Sequence, residues 1–242
     1  MRLSRSWATS KRVLLQLKHD PRTLALMFLA PTLLLTILKF VYWSEPRIFQ
    51  HFAGSMLGVF PMLTMFLITS VATLRERSSG TLERLMISPL NKIEFIIGYA
   101  EAFGFVSLVQ AIAVTSYTTW VLGLKTTGSQ FSLIVVSILS SAVGLAIGLA
   151  VSTFASSEFQ AIQFMPAILL PQLLISGLLL PRSQMPRILD DISNLLPLSY
   201  STDALRKLQV GQGSIVVDSL AILGFVFLIL ILGSFTLKRQ TK

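Results

Sequence analysis

Acidic residues within apolar stretches are the first candidates for chemistry in this sequence, and Glu101 lies furthest inside such a stretch. It follows Glu94 by seven residues, so both carboxylates share one face of a helix, with Gly98 between them. At the helical rise per residue, Glu101 lies about 10 Å further along the axis than Glu94. Two interpretations remain open: a functional acid, or a structural acid paired with a polar group on a neighbouring helix.

The other ionisable residues do not form a catalytic or metal-binding pattern. His19 and His51 are isolated, so they predict neither a metal pair nor a nucleophile with its base. Asp190 and Asp191 are adjacent, point in different directions on a helix and are typical of a solvated face. Cysteine is absent, and no G-x-x-x-x-G-K-[ST] phosphate loop occurs. We therefore expect no catalytic residue, no metal site and no cofactor in this chain, which argues against an enzyme.

The charged segment 75–92 lies between two long apolar runs. Leu82, Leu85 and Met86 recur in it at helical spacing, so one face of a short helix is apolar. Pro89 favours an end of this helix just before it. A short amphipathic helix between membrane spans either anchors passively in the interface or presents its polar face to a partner.

The elements that must position these residues are long apolar helices. Charged residues make up 13% of the sequence and the mean hydropathy is +0.73, which is too apolar for a soluble domain of this size. Several runs are long enough to cross a hydrocarbon core of about 30 Å as helices. We predict an all-α membrane protein, a single transmembrane domain over 1–242, with spans at about 24–43, 52–74, 93–124, 131–154, 159–180 and 215–237.

Two amphipathic segments lie outside the predicted spans. Residues 1–22 interleave basic side chains with Trp7 and aliphatic residues, which favours a helix on an anionic membrane surface. A signal peptide is the rival interpretation, but the basic region is too long and no cleavage pattern follows a short apolar core. In the polar interval 181–213, apolar residues from Met185 to Leu196 follow helical spacing, and a second helical stretch covers 202–208.

Small residues repeat every fourth position in the fourth predicted span, at Ser140, Gly144, Gly148 and Ser152. Such a ridge allows two helices to pack closely, and it contains a G-x-x-x-G pattern. The pattern favours packing within one bundle over a dimer seam, although both uses are compatible with it.

The distribution of Lys and Arg predicts the orientation in the membrane. Six lie in the N-terminal arm, four in the segment 75–92 and three in the tail, against seven on the opposite side of a six-span chain. The positive-inside rule therefore places both termini and the segment 75–92 in the cytoplasm. The net charge of +9 thus reflects topology and does not indicate nucleic-acid binding.

Three motifs carry a family resemblance, and together they cover essentially the whole chain in order. They read K-H-D-P-R before the first span, E-R-S-S-G-T-L-E-R-L-M-I-S-P-L after the second, and L-L-P-L-S-Y-S-T-D-A-L-R before the last. This combination resembles the permease subunits of type-2 ABC exporters. The resemblance implies that 80–89 is a coupling helix received by a separate ATPase subunit, which binds ATP and Mg. On this basis, the residues that we expect to act in coupling are Glu76, Arg77, Thr81, Leu82, Glu83, Arg84, Leu85 and Met86.

The resemblance also implies a permease dimer, homodimeric or heterodimeric, with two ATPase subunits, and external re-entrant helices over 181–213. The leading hypothesis is the transmembrane subunit of an ATP-driven exporter in the cell membrane, moving an amphipathic, drug-, lipid- or glycan-type cargo. The alternative is a proton-coupled secondary transporter that uses Glu101. Many such transporters contain inverted repeats, and none is visible between the two halves of this sequence.

Overall fold

The computed structural model describes residues 3–78 and 92–236 as an all-α bundle, which confirms the fold class expected from the sequence. Six helices in these ranges are long and apolar enough to cross a membrane. The helices are α1 (Leu3–Lys18), α2 (Pro21–Val41), α3 (Pro46–Ser78), α4 (Lys92–Ser116), α5 (Gln130–Ser152), α6 (Glu158–Ile175), α7 (Arg187–Ser193), α8 (Pro197–Val210) and α9 (Val216–Thr236). The candidate spans are α2, α3, α4, α5, α6 and α9; α4 continues into a π-helical turn at Tyr117–Val121.

Successive spanning helices run in opposite directions, which gives the bundle two sides. On the α1 side, α1 meets the start of α4, and the end of α3 meets the junction between α5 and α6. On the α8 side, Lys39 donates to the Leu122 carbonyl at 2.7 Å and Gln209 donates to the Gln50 carbonyl at 2.7 Å. Both ends of the described chain therefore lie on the α1 side.

Polar and rigid residues set several helix boundaries. The Asp20 carboxylate accepts a hydrogen bond from the Thr23 amide at 3.2 Å and caps the start of α2. The hydrogen bonds from Thr23 hold the pKa of the Asp20 carboxyl below its ordinary value. Pro21 and Pro46 occupy first-turn positions, where the missing amide hydrogen would have no helical partner.

The centre of the bundle is the contact between α3 and α5, which run parallel. A Cβ added at Gly144 would lie 2.1 Å from the Met62 carbonyl oxygen, and one at Gly148 would lie 2.7 Å from the Phe66 carbonyl oxygen. Only glycine allows two backbones to approach so closely. Within this chain the small-residue ridge of α5 therefore faces α3, with Ser140 beside Gly58 and Ser152 buried at the far end.

The peripheral helices bury much less of their surface than the central pair. About two thirds of the residues in the most apolar stretches of α3 and α5 are buried, against 17% in those of α2, α6 and α9. Since spanning helices that lack protein neighbours face lipid, α2, α6 and α9 form the outer surface of the isolated chain. Their exposed leucines, isoleucines and phenylalanines are the side chains expected at a lipid boundary.

Three of the expected boundaries that differ from the structure have a clear local cause. The second span was expected from about residue 52, but α3 begins at Pro46 because the Glu45 carbonyl accepts from the Ile48 amide and starts the helix. The fifth was expected to reach residue 180, but α6 ends at Ile175 because Gly177 adopts a φ of +87° and turns the chain. The amphipathic stretch from 185 is shorter than expected, since Pro197 starts a separate helix, α8.

Candidate functional site at the end of α3

Three consecutive residues at the end of α3 contact three different elements. Arg75 binds the first residue of α6, Glu76 binds α1, and Arg77 binds the last turn of α5. Consecutive positions on a helix point about 100° apart, so three neighbouring side chains can reach three directions. We call this set of contacts the α3 junction; it directly precedes the segment 79–91, which lies outside the described residues.

The Arg75 contact is a bidentate ion pair on the surface. Its Nε and Nη2 atoms donate to the two carboxylate oxygens of Glu158 at 2.6 and 2.9 Å. Glu158 is the first residue of α6, where a negative charge also interacts favourably with the helix dipole. Both side chains are about half exposed, so the pair fixes geometry and contributes at most about 1 kcal/mol.

The Glu76 contact is buried. Its carboxylate lies 2.6 Å from the Arg12 guanidinium of α1, and the Glu76 side chain is 8% exposed. The Tyr99 hydroxyl of α4 hydrogen-bonds in the same cluster and is itself buried. This cluster therefore joins α1, α3 and α4, and removing one charge from it would leave the other charge largely desolvated.

The Arg77 contact closes the end of another helix. Its Nη1 atom donates to the Ser152 carbonyl oxygen. Ser152 is the last residue of α5, where the carbonyl groups have no partner within the helix and carry the negative end of the helix dipole. An arginine at this position satisfies one of these carbonyls and fixes α5 to α3.

Helix α1 packs tightly against α4. A Cβ added at Gly98 would lie 2.7 Å from the Thr9 side chain and 2.8 Å from the Ser6 carbonyl oxygen. Val13 is buried in a cluster with Met27 of α2 and aromatic residues of α4. The opposite face of α1 carries exposed Trp7, Lys11 and Leu15. This arrangement suits the interfacial helix expected for 1–22, with Trp7 and Lys11 outward and Arg12 turned towards the bundle.

The remaining predicted site residues are placed as follows. The residues proposed for coupling between 79 and 91, namely Thr81, Leu82, Glu83, Arg84, Leu85 and Met86, lie outside the described residues. The backbone of Glu94 belongs to α4, one turn before Gly98. Glu101 is partly buried, and one of its carboxylate oxygens has no hydrogen-bond partner in the part of the chain that the structure describes. Glu101 forms no ion pair with another described residue, so the structure gives no support to the interpretation of Glu101 as a paired structural acid.

A second polar cluster lies on the α8 side. Arg182 lies in a short 3-10 turn (Arg182–Gln184) after α6. It donates to Asp190 at 3.1 Å, to Asp203 at 2.7 Å and to Asn194, and so joins this turn to α7 and α8. Burial raises the pKa of the Asp203 carboxyl, and the Arg182 charge partly opposes that effect. Lys207 binds Asp218 at 2.6 Å and fixes α8 to α9.

Sequence reasoning missed the partners in both clusters. In the sequence, Arg12 is one of the six basic residues of the N-terminal arm and Arg182 one of the seven on the opposite side, and Glu158 was not singled out. The acid at the first turn of a predicted helix was a local signal for Glu158. No local signal relates Arg12 to Glu76, which is 64 positions away. Within 3–78 and 92–236, no three His, Asp or Glu residues are grouped as metal ligands.

Comparisons with known proteins agree with this architecture. The family model for ABC-2 type transporters matches residues 5–210. The Escherichia coli K12 protein named probable multidrug ABC transporter permease YbhR is 26% identical over 179 residues, which cover 72% of this chain and 48% of that protein. A second Escherichia coli K12 protein, named probable multidrug ABC transporter permease YbhS, is 27% identical over 171 residues, which cover 69% of this chain and 45% of that protein.

A third Escherichia coli K12 protein, named inner membrane transport permease YhhJ, is 28% identical over 159 residues, 64% of this chain and 42% of that protein. The chain thus spans about half the length of the curated relatives that it matches. The family match runs from the first turn of α1 to the end of α8 and includes the α3 junction. With its six apolar spanning helices, this chain therefore belongs to the ABC-2 type transporter family, as its motifs indicate, and is a transmembrane component of such a transporter.

Proposed function

We propose that this chain forms the export pathway of an ATP-driven exporter and is coupled to a separate ATPase subunit through the segment 79–91. The observation that carries the proposal is the α3 junction, which ties the helix leading into that segment to α1, α4, α5 and α6. A displacement that reaches the end of α3 is passed to these four elements through direct side-chain contacts. Family membership and the names of the relatives support the same function.

The mechanism follows from this connectivity. Closure of two ATPase subunits on ATP displaces 79–91, and the displacement passes through Glu76 to α1 and through Arg77 to α5. Because α5 packs backbone to backbone against α3, the two helices move as one body. The ATPase partner holds ATP and Mg, while this chain contributes docking and movement. Two permease copies, homodimeric or heterodimeric, would enclose the pathway.

The orientation and cargo are part of the proposal. We place the α1 side in the cytoplasm, because it carries the N-terminal arm and the segment 75–92 with their excess of Lys and Arg. The membrane is the inner membrane, as in the name of one relative. The cargo is an amphipathic, drug-, lipid- or glycan-type molecule, and the multidrug names of two relatives favour the drug class.

Substitution of Leu85 tests the coupling directly. Helix-in-groove contacts concentrate their energy in a few apolar anchors. Leu85→Asp would bury an unpaired carboxylate in the ATPase groove and weaken association by several kcal/mol. We expect co-purification of the ATPase to fall to background while the permease still inserts in the membrane.

The control is Glu83→Ala, at the rim of the same predicted helix. It should retain most of the bound ATPase and act mainly on transport-stimulated ATP hydrolysis, because rim charges contribute little to affinity. If Leu85→Asp binds a full complement of ATPase and exports normally, the segment is only an interfacial anchor. In that case the coupling proposal is wrong.

A further inference from the structure

A lateral groove lies between α6 and α9, with α5 as its floor. Its volume is about 490 Å³, within the range of small-molecule sites in proteins. Phe164 and Ile168 of α6 form one wall, Leu228 and Ile229 of α9 form the other, and the link between α7 and α8 lines one end. Since α6 and α9 are peripheral spanning helices, the groove opens on the outer surface of the isolated chain, within its membrane-spanning part.

One polar side chain interrupts this apolar surface. Gln172 of α6 lines the groove and is 5% exposed. Its Nε2 atom donates to the Ile168 carbonyl at 3.3 Å, but its Oε1 atom is buried and has no hydrogen-bond partner among the described residues. A buried acceptor without a donor destabilises a protein, and at membrane depth there is no bulk water to satisfy it.

The composition of the groove restricts what could satisfy Gln172. Within the described ranges, no charged side chain lines the groove. A charged headgroup would therefore be desolvated there without a counter-ion. An apolar chain would fill the walls, and an uncharged hydroxyl or amide N–H would supply the donor that Gln172 lacks. Both features occur together in neutral lipids, which the surrounding bilayer presents to the groove.

We propose that the groove between α6 and α9 binds a neutral membrane lipid, with its acyl chain along the walls and a hydroxyl or amide donor at Gln172. The distance along α6 from Phe164 to Gln172 is about 12 Å, enough for a substantial part of an acyl chain. Because Oε1 is buried, this proposal requires a rotation about the terminal torsion of Gln172, which has a broad energy minimum, to expose it to the groove. The proposal does not rest on ATPase coupling and goes beyond the exporter function.

Photo-crosslinking of the full chain in lipid nanodiscs tests this site without an ATPase partner. The probe is a monoacylglycerol with a diazirine in its acyl chain, and the matched probe has both hydroxyl groups converted to methyl ethers. We expect the hydroxylated probe to label α5, α6 and α9 residues of the groove. The ether probe, which lacks a donor, should label them about five-fold less, as expected for one lost hydrogen bond.

Two pairs of variants separate the donor site from the apolar walls. Gln172→Leu should reduce labelling by the hydroxylated probe about five-fold and leave the ether probe unchanged. Its control is Gln163→Leu, the same change on an exposed face of α6. Leu228→Trp should fill the groove and reduce labelling by both probes, whereas Leu220→Trp, exposed on α9 outside the groove, should not.

Equal labelling of the wild type and Gln172→Leu by the hydroxylated probe would overturn the proposal, as would labelling confined to other faces of the bundle. A second copy of this chain is the competing occupant. Because the sequence has no cysteine, Leu228→Cys introduces a unique thiol. Efficient formation of a disulfide dimer through that thiol would show that a second chain covers the groove, and would also overturn the lipid site.

Discussion

The two ion pairs at the end of α3 differ in burial, and this difference determines how each responds to substitution. Arg75 and Glu158 are about half exposed, so water replaces either partner when the other is removed. Glu76 is almost fully buried, and Arg12 retains 30% exposure. Loss of the Glu76 charge therefore leaves a guanidinium that water reaches only in part.

At the residue scale, we predict that Glu76→Gln lowers the free energy of unfolding more than Glu158→Gln does. The expected losses are about 2 kcal/mol for the buried pair and less than about 1 kcal/mol for the exposed pair. Thermal unfolding of the detergent-solubilised protein measures both. The double variant Arg12→Gln/Glu76→Gln should recover part of the loss, since no unpaired charge remains. Equal losses for Glu76→Gln and Glu158→Gln would contradict the assignment of Glu76 as the buried link.

At the element scale, the parallel pair α3 and α5 depends on glycine where the two backbones approach most closely. The Met62 carbonyl oxygen occupies the space that a side chain at Gly144 would need. Any Cβ there requires the two backbones to separate, and the separation would loosen the buried contacts of Val59 and Phe66 with α5.

We therefore predict that Gly144→Ala destabilises the bundle by about 1–3 kcal/mol. The matched control is Gly104→Ala on α4, where an added Cβ meets nothing within 4 Å. That change should be neutral or stabilise the protein by up to about 1 kcal/mol, because alanine favours a helix more than glycine does. Unfolding in detergent compares the two variants. If Gly144→Ala changes only the oligomeric state and leaves stability intact, the ridge is a dimer seam.

At the scale of the whole molecule, the six spans bring the N-terminal helix, the end of α3 and the end of α9 to one side. The clusters at the two sides have different partners: Arg12–Glu76 and Arg75–Glu158 on the α1 side, and Arg182–Asp203 and Lys207–Asp218 on the α8 side. Each side is thus fixed by its own ion pairs, with the α3–α5 contact between them.

We predict from the distribution of Lys and Arg that the α1 side is cytoplasmic. Reporter fusions after Lys92 and after Lys242 should both report a cytoplasmic location, and a fusion after Gly211 an external one. Paired reporters that are active on opposite sides of the membrane provide the control at each position. A cytoplasmic result at Gly211 would contradict the six-span topology.

The sequence by itself determined that this is an all-α membrane protein and approximately where its six spanning helices lie. Apolar runs of about 20 residues are sufficient to predict spanning helices, because the thickness of the bilayer sets their length. The repeat at Ser140, Gly144, Gly148 and Ser152 indicated a close helix contact, and the three motifs identified the family, which the comparisons confirm. The proposed roles of Thr81–Ser88 in coupling remain predictions.

Only the tertiary structure decided which faces meet. Hydrophobic periodicity shows that a helix has an apolar side but does not show which neighbour covers that side. In a membrane-spanning helix even this signal is weak, because the faces towards lipid and towards protein are both largely apolar. The pairing of Arg12 with Glu76, the position of Gly144 against Met62 and the groove that contains Gln172 therefore have no one-dimensional signature. They depend on the relative rotation and depth of separate helices, which are set by close packing across the whole bundle.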